Sequence, residues 1–172
     1  MEQRRRSWSQ IFLLVCSLAG VGIAIYLTAV HYNENVPLVC SGSGIVNCAL
    51  VLSSPYSLVP GTSIPISIPG LLWCALMAGL AIVGLNAQPG WLRPAQFAWA
   101  LLGIVTVLYL VYVEVVRLHA ICAWCTALHV LILLVFLVTL LRLTSPAQIP
   151  AELEAESSNS DRAEAARPSR RS

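Results

Sequence analysis

AICAWCTALHVLILLVFLVTLLRL, residues 120–143, decides how the rest of the chain is read. It opens on a C-x-x-C pair, Cys122 and Cys125, and runs on as an apolar stretch long enough to cross a membrane, which takes roughly 20 helical residues. Two thiols separated by two residues form a redox-active or a metal-binding pair. At the edge of a bilayer such a pair can meet a lipid-soluble electron acceptor that a dithiol in water does not easily reach.

The whole chain follows the same pattern. Its 172 residues are 58% hydrophobic and 10% charged, against about 25% charged in an ordinary soluble domain. Three further apolar runs, 11–31, 69–85 and 94–116, join 120–143 as spans. The predicted fold is an all-α integral membrane protein, a four-transmembrane-helix bundle with a lid loop over 32–68. Pro69 and Pro94 fit as first-turn prolines, whose missing N–H is not needed there. Residues 10–143 form the membrane domain, 1–9 a short N-terminal segment, and 144–172 a polar Ala/Glu/Ser/Arg/Pro tail too poor in apolar residues to order itself. The first span is too long for a signal-peptide core and lacks an A-x-A-like site, so it reads as retained. No internal repeat and no nucleotide-binding glycine motif is present, and nothing calls for a nucleic-acid partner.

Orientation rests on arginine, because the chain has no lysine. Arg4, Arg5, Arg6, Arg93 and Arg142 flank one side of the spans, and only Arg117 the other. The positive-inside rule makes both termini and the 86–93 loop cytoplasmic, and turns 32–68 and 117–121 outward.

The six cysteines sort by depth. Cys16 and Cys74 fall inside spans and read as small packing groups. Cys40, Cys48, Cys122 and Cys125 all lie on the outward side, where disulfides are permitted. Four thiols allow three pairings, and both static disulfides and a relay between two pairs stay open. A helix N-terminus favours thiolates, which suits a relay better than a structural bond. Cys125 lies about 4.5 Å deeper along the axis than Cys122, so Cys122 is the better placed to meet a loop thiol. His129 shares a helix face with both, and an ionisable residue within a span usually faces a functional interior. Trp124 reads as an ordinary interfacial aromatic. Glu114 and Arg117, one turn apart, read as a solvated rim pair.

The loop reads as a lid. Residues 45–52 form a short amphipathic helix carrying Cys48 and ended by Ser53 and Ser54, and Pro60, Pro65 and Pro69 return the chain along an extended path. Cys40, in the Gly/Ser-rich part, is expected to be the more exposed loop thiol. Ala75 and Gly79 have a spacing that permits close helix contact.

In order and spacing, these features resemble the vitamin K epoxide reductase family, in particular its bacterial disulfide-forming members in a stand-alone form without a fused thioredoxin-like domain. The elements are Cys40 and Cys48 with seven residues between them, Ser53 and Ser54 shortly after, the Pro-rich approach from Ile64-Pro65 to Gly70, and the C-x-x-C at span four. The resemblance implies a thiol:quinone oxidoreductase of the bacterial inner membrane with a periplasmic lid, its electron acceptor menaquinone, ubiquinone or a related quinone. It implies that Cys122 and Cys125 are the active-site pair, with Cys125 nearer the quinone and Cys122 attacked by Cys48. Cys40 would exchange with a separate periplasmic thioredoxin-like protein. His129 and Ser54 would contact the quinone. The asparagine that animal members carry near span two has no counterpart around Ile66 and Ser67. Two other readings are a Cys/His metal-binding or transport protein, with His119 or His129 among its ligands, and a structural tetraspan protein with static disulfides.

Overall fold

The computed structural model describes residues 2–33, 35–40, 44–87 and 89–144. The tail expected beyond Thr144 lies outside the described residues. The helices are α1 (Glu2–Tyr32), α2 (Cys48–Ser53), α3 (Ser67–Asn86), α4 (Leu92–Tyr112) and α5 (Ala123–Thr144). A 3₁₀ turn at Pro55–Ser57 follows α2, and a π-helical turn at Val113–Leu118 continues α4.

Four segments are long and apolar enough to cross a membrane: Ser7–Tyr32, Ser67–Asn86, Leu92–Leu118 and Ala123–Thr144. The chain is a multi-pass membrane protein with the four-span fold read from its sequence. The boundaries shift by a few residues. Pro69 and Pro94 are the third helical residues rather than the first, still among the four N–H positions that have no partner within the helix. α5 starts at Ala123, later than expected, for a reason that lies in the lid. α1 extends back to Glu2, so the N-terminal segment is helical as well.

Helix α1 packs along α3, α4 along α5, and α1 against α5. Leu13, Trp73, Met77, Ala81 and Val135 centre the shared core. Small residues let the axes approach. A Cβ added at Gly20 would lie 2.7 Å from the Cys74 sulfur, so Cys74 fills the α1–α3 contact; it and Cys16 are buried free thiols. Gly103 of α4 lies under the Trp73 indole, and a Cβ there would meet three ring atoms. The two indoles then lock α3 to α4: Trp73 Nε1 donates to the Trp99 carbonyl at 3.0 Å, and Trp99 Nε1 to the Trp73 carbonyl at 3.1 Å. The Ala75–Gly79 spacing does not serve packing within the chain, since both residues are exposed and a Cβ at Gly79 would touch nothing within 4 Å.

At the end of the bundle away from the lid, Arg142 Nη1 donates to Gln96 Oε1 at 2.8 Å, and Gln96 Nε2 donates to the Leu80 carbonyl at 3.2 Å. The Gln10 amide packs against that of Gln96. This knot ties all four spans together and satisfies polar groups that hydrocarbon would leave unpaired.

The lid departs from its expected shape in two places. Residues 45–47 are a turn and a bridge rather than helix, and α2 begins at Cys48, capped by Asn47, whose side-chain oxygen accepts from the Leu50 N–H at 3.0 Å. The proline-rich return is a tight reversal rather than an extended run: Leu58 bridges Pro65 antiparallel, and Gly61 adopts the positive φ of 79° that the turn needs.

Replacing Gly103 by alanine forces a methyl group against the rigid Trp73 ring. It is expected to cost about 1–3 kcal/mol, read as a lowered thermal midpoint of the detergent-solubilised protein. Gly79→Ala, on the open face, should leave that midpoint unchanged or raise it.

Candidate active site

A single pair of backbone hydrogen bonds sets the site. Val46 and Ile121 form a parallel bridge: the Ile121 N–H donates to the Ile45 carbonyl at 2.9 Å, and the Asn47 N–H donates to the Ile121 carbonyl at 3.1 Å. The residue after Asn47 is Cys48, and the residue after Ile121 is Cys122. The bridge therefore brings the loop thiol and the C-x-x-C together, and Cys48, Val51, Ala120 and Cys122 share one buried cluster with Cys40 and Cys125 at its edge.

Cys40 and Cys48 are joined as a disulfide with Cα atoms 6.1 Å apart, while Cys122 and Cys125 are thiols. Cys48 is 1% exposed and Cys40 only half-buried, the order of exposure expected from sequence. The strand leading to Cys40 is held at two points. The Tyr26 hydroxyl donates to the Pro37 carbonyl and accepts from the Val39 N–H, both at 2.9 Å. Trp124 Nε1 donates to the Val39 carbonyl at 2.7 Å, and its indole packs 4.8 Å from the Tyr26 ring. Trp124 is thus part of the lid clamp and not only an interfacial aromatic.

Cys122 precedes the first helical residue of α5 and acts as its N-cap. Its sulfur accepts the Cys125 N–H at 3.3 Å, and its carbonyl accepts the Thr126 N–H at 2.8 Å. The hydrogen bond from the Cys125 thiol holds the Cys122 thiol below the ordinary range, aided by the Cys125 and Trp124 backbone N–H groups and opposed by burial and the Glu114 carboxyl. The Cys125 thiol and the helix terminus together favour the thiolate form of Cys122.

Cys125, beside Cys122, also lines a cavity of about 360 Å³ at the lid end of the bundle. The volume falls within the usual range for small-molecule sites, about 300–1,000 Å³. Its walls are mostly apolar, with Trp73, Leu102, Leu110 and Ile132 among them. Its polar atoms are few. His129 lines it and is 8% exposed, and among the described residues its Nδ1 has no hydrogen-bond partner. Ser54 and Ser57 form part of the lid wall, donating to the Val51 and Ser54 carbonyls at 2.8 and 2.7 Å. Ser67, which accepts from the Thr28 hydroxyl at 2.9 Å, stands on the α3 wall.

Glu114 overturns the reading of a solvated rim pair. It is 6% exposed and lines the cavity, whereas Arg117 is exposed. The cause is the π turn: the Glu114 carbonyl accepts the N–H groups of both His119 and Ala120, with His119 left-handed at φ 51°. The wider turn changes the direction in which its residues point. The sequence did carry a signal for this, because Glu114 is the only acidic residue in the four spans. Among the described residues, no three His, Cys, Asp or Glu side chains gather as a metal site.

Paired thiols at a bilayer-embedded cavity define a membrane thiol–disulfide oxidoreductase. The sequence model of the Vitamin K epoxide reductase family matches residues 11–140, and the chain belongs to that family. A comparison with curated proteins gives no match. The activity of the family in general is thiol–quinone oxidoreduction, and its members use quinones in general.

The Tyr26 clamp should govern access to the lid disulfide. Tyr26→Phe removes two hydrogen bonds at an exposed site, together worth about 1 kcal/mol. Reduction of Cys40–Cys48 by dithiothreitol, followed by alkylation and peptide mapping, should become roughly fivefold faster; an unchanged rate would show that the clamp does not hold the lid.

Proposed function

We propose that the chain re-oxidises a periplasmic thioredoxin-fold disulfide-forming protein and passes the electrons to a membrane quinone. The observation that carries this reading is the split of the C-x-x-C. Cys122 lies in one buried cluster with Cys48, and Cys125 opens onto the cavity. With the arginine-rich side cytoplasmic, the lid and both thiol pairs face the periplasm, and the tail from residue 144 is a cytoplasmic appendage of the membrane domain.

Each step is attack of a thiolate on a disulfide sulfur. A partner thiolate attacks Cys40 of the Cys40–Cys48 disulfide and frees Cys48, and the partner's second thiol then releases Cys40. The Cys48 thiolate attacks Cys122 of an oxidised Cys122–Cys125 pair, releasing Cys125. Cys40 next attacks Cys48, which restores the lid disulfide and leaves the inner pair reduced. Finally, the capped Cys122 thiolate closes onto Cys125 as two electrons leave for the acceptor. Direction follows from reduction potentials, about 30 mV corresponding to roughly 1.4 kcal/mol.

The cavity suits a quinone. Its walls match a flat apolar ring, and His129 Nδ1, without a partner among the described residues, is the polar atom available to a ring oxygen; Ser54 lines the same wall, and its hydroxyl would have to leave the Val51 carbonyl to join it. A bound quinone, whether menaquinone, ubiquinone or a relative, supplies a two-electron, two-proton acceptor beside Cys125. His129 orients it, and the lid excludes water from the thiols.

Purified protein assayed for quinone reduction, driven either by a reduced thioredoxin-fold oxidase or by dithiothreitol, tests the relay. Cys122→Ser and Cys125→Ser should abolish both reactions. Cys40→Ser should abolish the protein-driven reaction and keep the dithiothreitol-driven one; full protein-driven turnover in that variant would sink the relay order. His129→Ala should raise the quinone concentration for half-maximal rate roughly tenfold, the worth of about one hydrogen bond. If rate and quinone dependence both stay unchanged, the histidine is packing.

A further inference from the structure

Glu114 has no part in the thiol exchanges above, yet it occupies the wall between the dithiol and the cavity. It is buried to 6% exposure and lines the cavity with Cys125 and His129. Its carboxyl lies close enough to the mouth of α5 to act electrostatically on both thiols. Among the described residues, no cation is among the groups acting on it. A carboxyl buried in a span without a counter-charge lowers stability relative to an apolar residue of like volume. The chain also departs from α-helical geometry at Val113–Leu118, the turn that holds this side chain inward. Buried ionisable groups of this kind in spans are typical of proton relays, and π turns within helices frequently mark functional sites.

We propose that Glu114 is the proton-transfer group of the site, accepting a thiol proton from the Cys122–Cys125 dithiol and delivering it to the quinone reduced in the cavity. The inference rests on the quinone-reducing function proposed above. In balance, the proton that Cys122 gives up on forming its thiolate and the S–H proton of Cys125 both leave the dithiol, and one S–S bond forms. Two electrons pass into the quinone, and two protons end on its oxygens. Glu114 takes one of those protons from the dithiol, hands it on, and returns to its starting state. The titratable groups facing it are Cys122 and Cys125 at the mouth of α5 and His129 one turn deeper. Across the cavity stand His31 of α1 and Tyr56 of the lid, while Arg117, on its own turn, is exposed.

The test is Glu114→Gln, which keeps the size and shape of the side chain and removes its ability to ionise. Dithiothreitol-driven quinone reduction should fall roughly 100-fold in kcat, within the span of general acid–base catalysis. The quinone KM should change little, and one limb of the pH–rate profile should flatten. A second readout needs no quinone. In the reduced protein, alkylation of Cys122 by iodoacetamide, followed by peptide mapping against pH, should shift to lower pH in E114Q, because a carboxylate that disfavours the thiolate has gone. A wild-type pH–rate profile in E114Q, or an alkylation curve that does not move, overturns the proposal. Should E114Q lose its fold, Glu114→Asp carries the test: a displaced limb supports the proposal, and the wild-type profile overturns it. Absence of quinone reduction by the wild-type protein would instead sink the underlying function, a distinguishable result.

Discussion

The constraint on which the site depends is the pair of hydrogen bonds that Ile121 makes to the lid. Residues 119–122 leave one span and have not yet entered the next, so their backbone groups need partners in a region with little water. The Ile121 N–H and carbonyl find them at Ile45 and Asn47. Because the lid has taken those groups, α5 does not run back through Ile121 and starts at Ala123 instead. That late start turns Cys122 from a helical residue into a cap, with its sulfur on the N–H of Cys125. The same bridge sets Cys48 against Cys122. A backbone requirement thus fixes both the cap at Cys122 and its packing against Cys48.

The second organising feature is where the bundle is tight. Away from the lid, the Gln10, Gln96 and Arg142 side chains and the Leu80 carbonyl are interlocked, and mid-bundle the Trp73 and Trp99 indoles cross between α3 and α4. Toward the lid nothing comparable joins α3 to α4, and the cavity lies between them there. The Trp73–Trp99 pair forms part of its wall. The rigid end thus carries the load of holding the helices together. The lid end is left with space, few polar atoms and two ionisable side chains, Glu114 and His129, that touch the same volume.

Much of this was legible in the sequence, because hydrocarbon imposes simple rules. Four apolar runs, two prolines near helix starts and a loop without basic residues were enough for the four-span bundle and its lid. The ordering of the cysteines by depth followed from the same reading. What the sequence did not show depends on contacts between distant segments. Trp124 reads as interfacial from composition, and only the approach of Val39 makes it a clamp. The α2 boundary moved because residues 45–47 were needed for the bridge. Glu114 was missed through reliance on regular helix geometry, where its spacing to Arg117 suggests a surface pair; the π turn breaks that spacing. Its isolation as the sole acid within the spans was the stronger signal, and the rule applied to His129 applies to it equally.

The division between Cys122 and Cys125 follows from these constraints taken together. In the proposed relay, a sulfur that receives Cys48 and later leaves it gains from a depressed pKa and from burial among lid residues. A thiol that must hand electrons to an apolar acceptor gains from an open face on the cavity. One helix terminus supplies both environments because the helix begins between the two residues: Cys122 caps it among lid residues, while Cys125 beside it also lines the cavity. Had α5 started at Ala120 as its apolar pattern suggests, both thiols would sit within regular helix and Cys122 would lose its role as cap. The lid bridge prevents this, so the lid shapes the dithiol's chemistry as well as carrying the disulfide that feeds it.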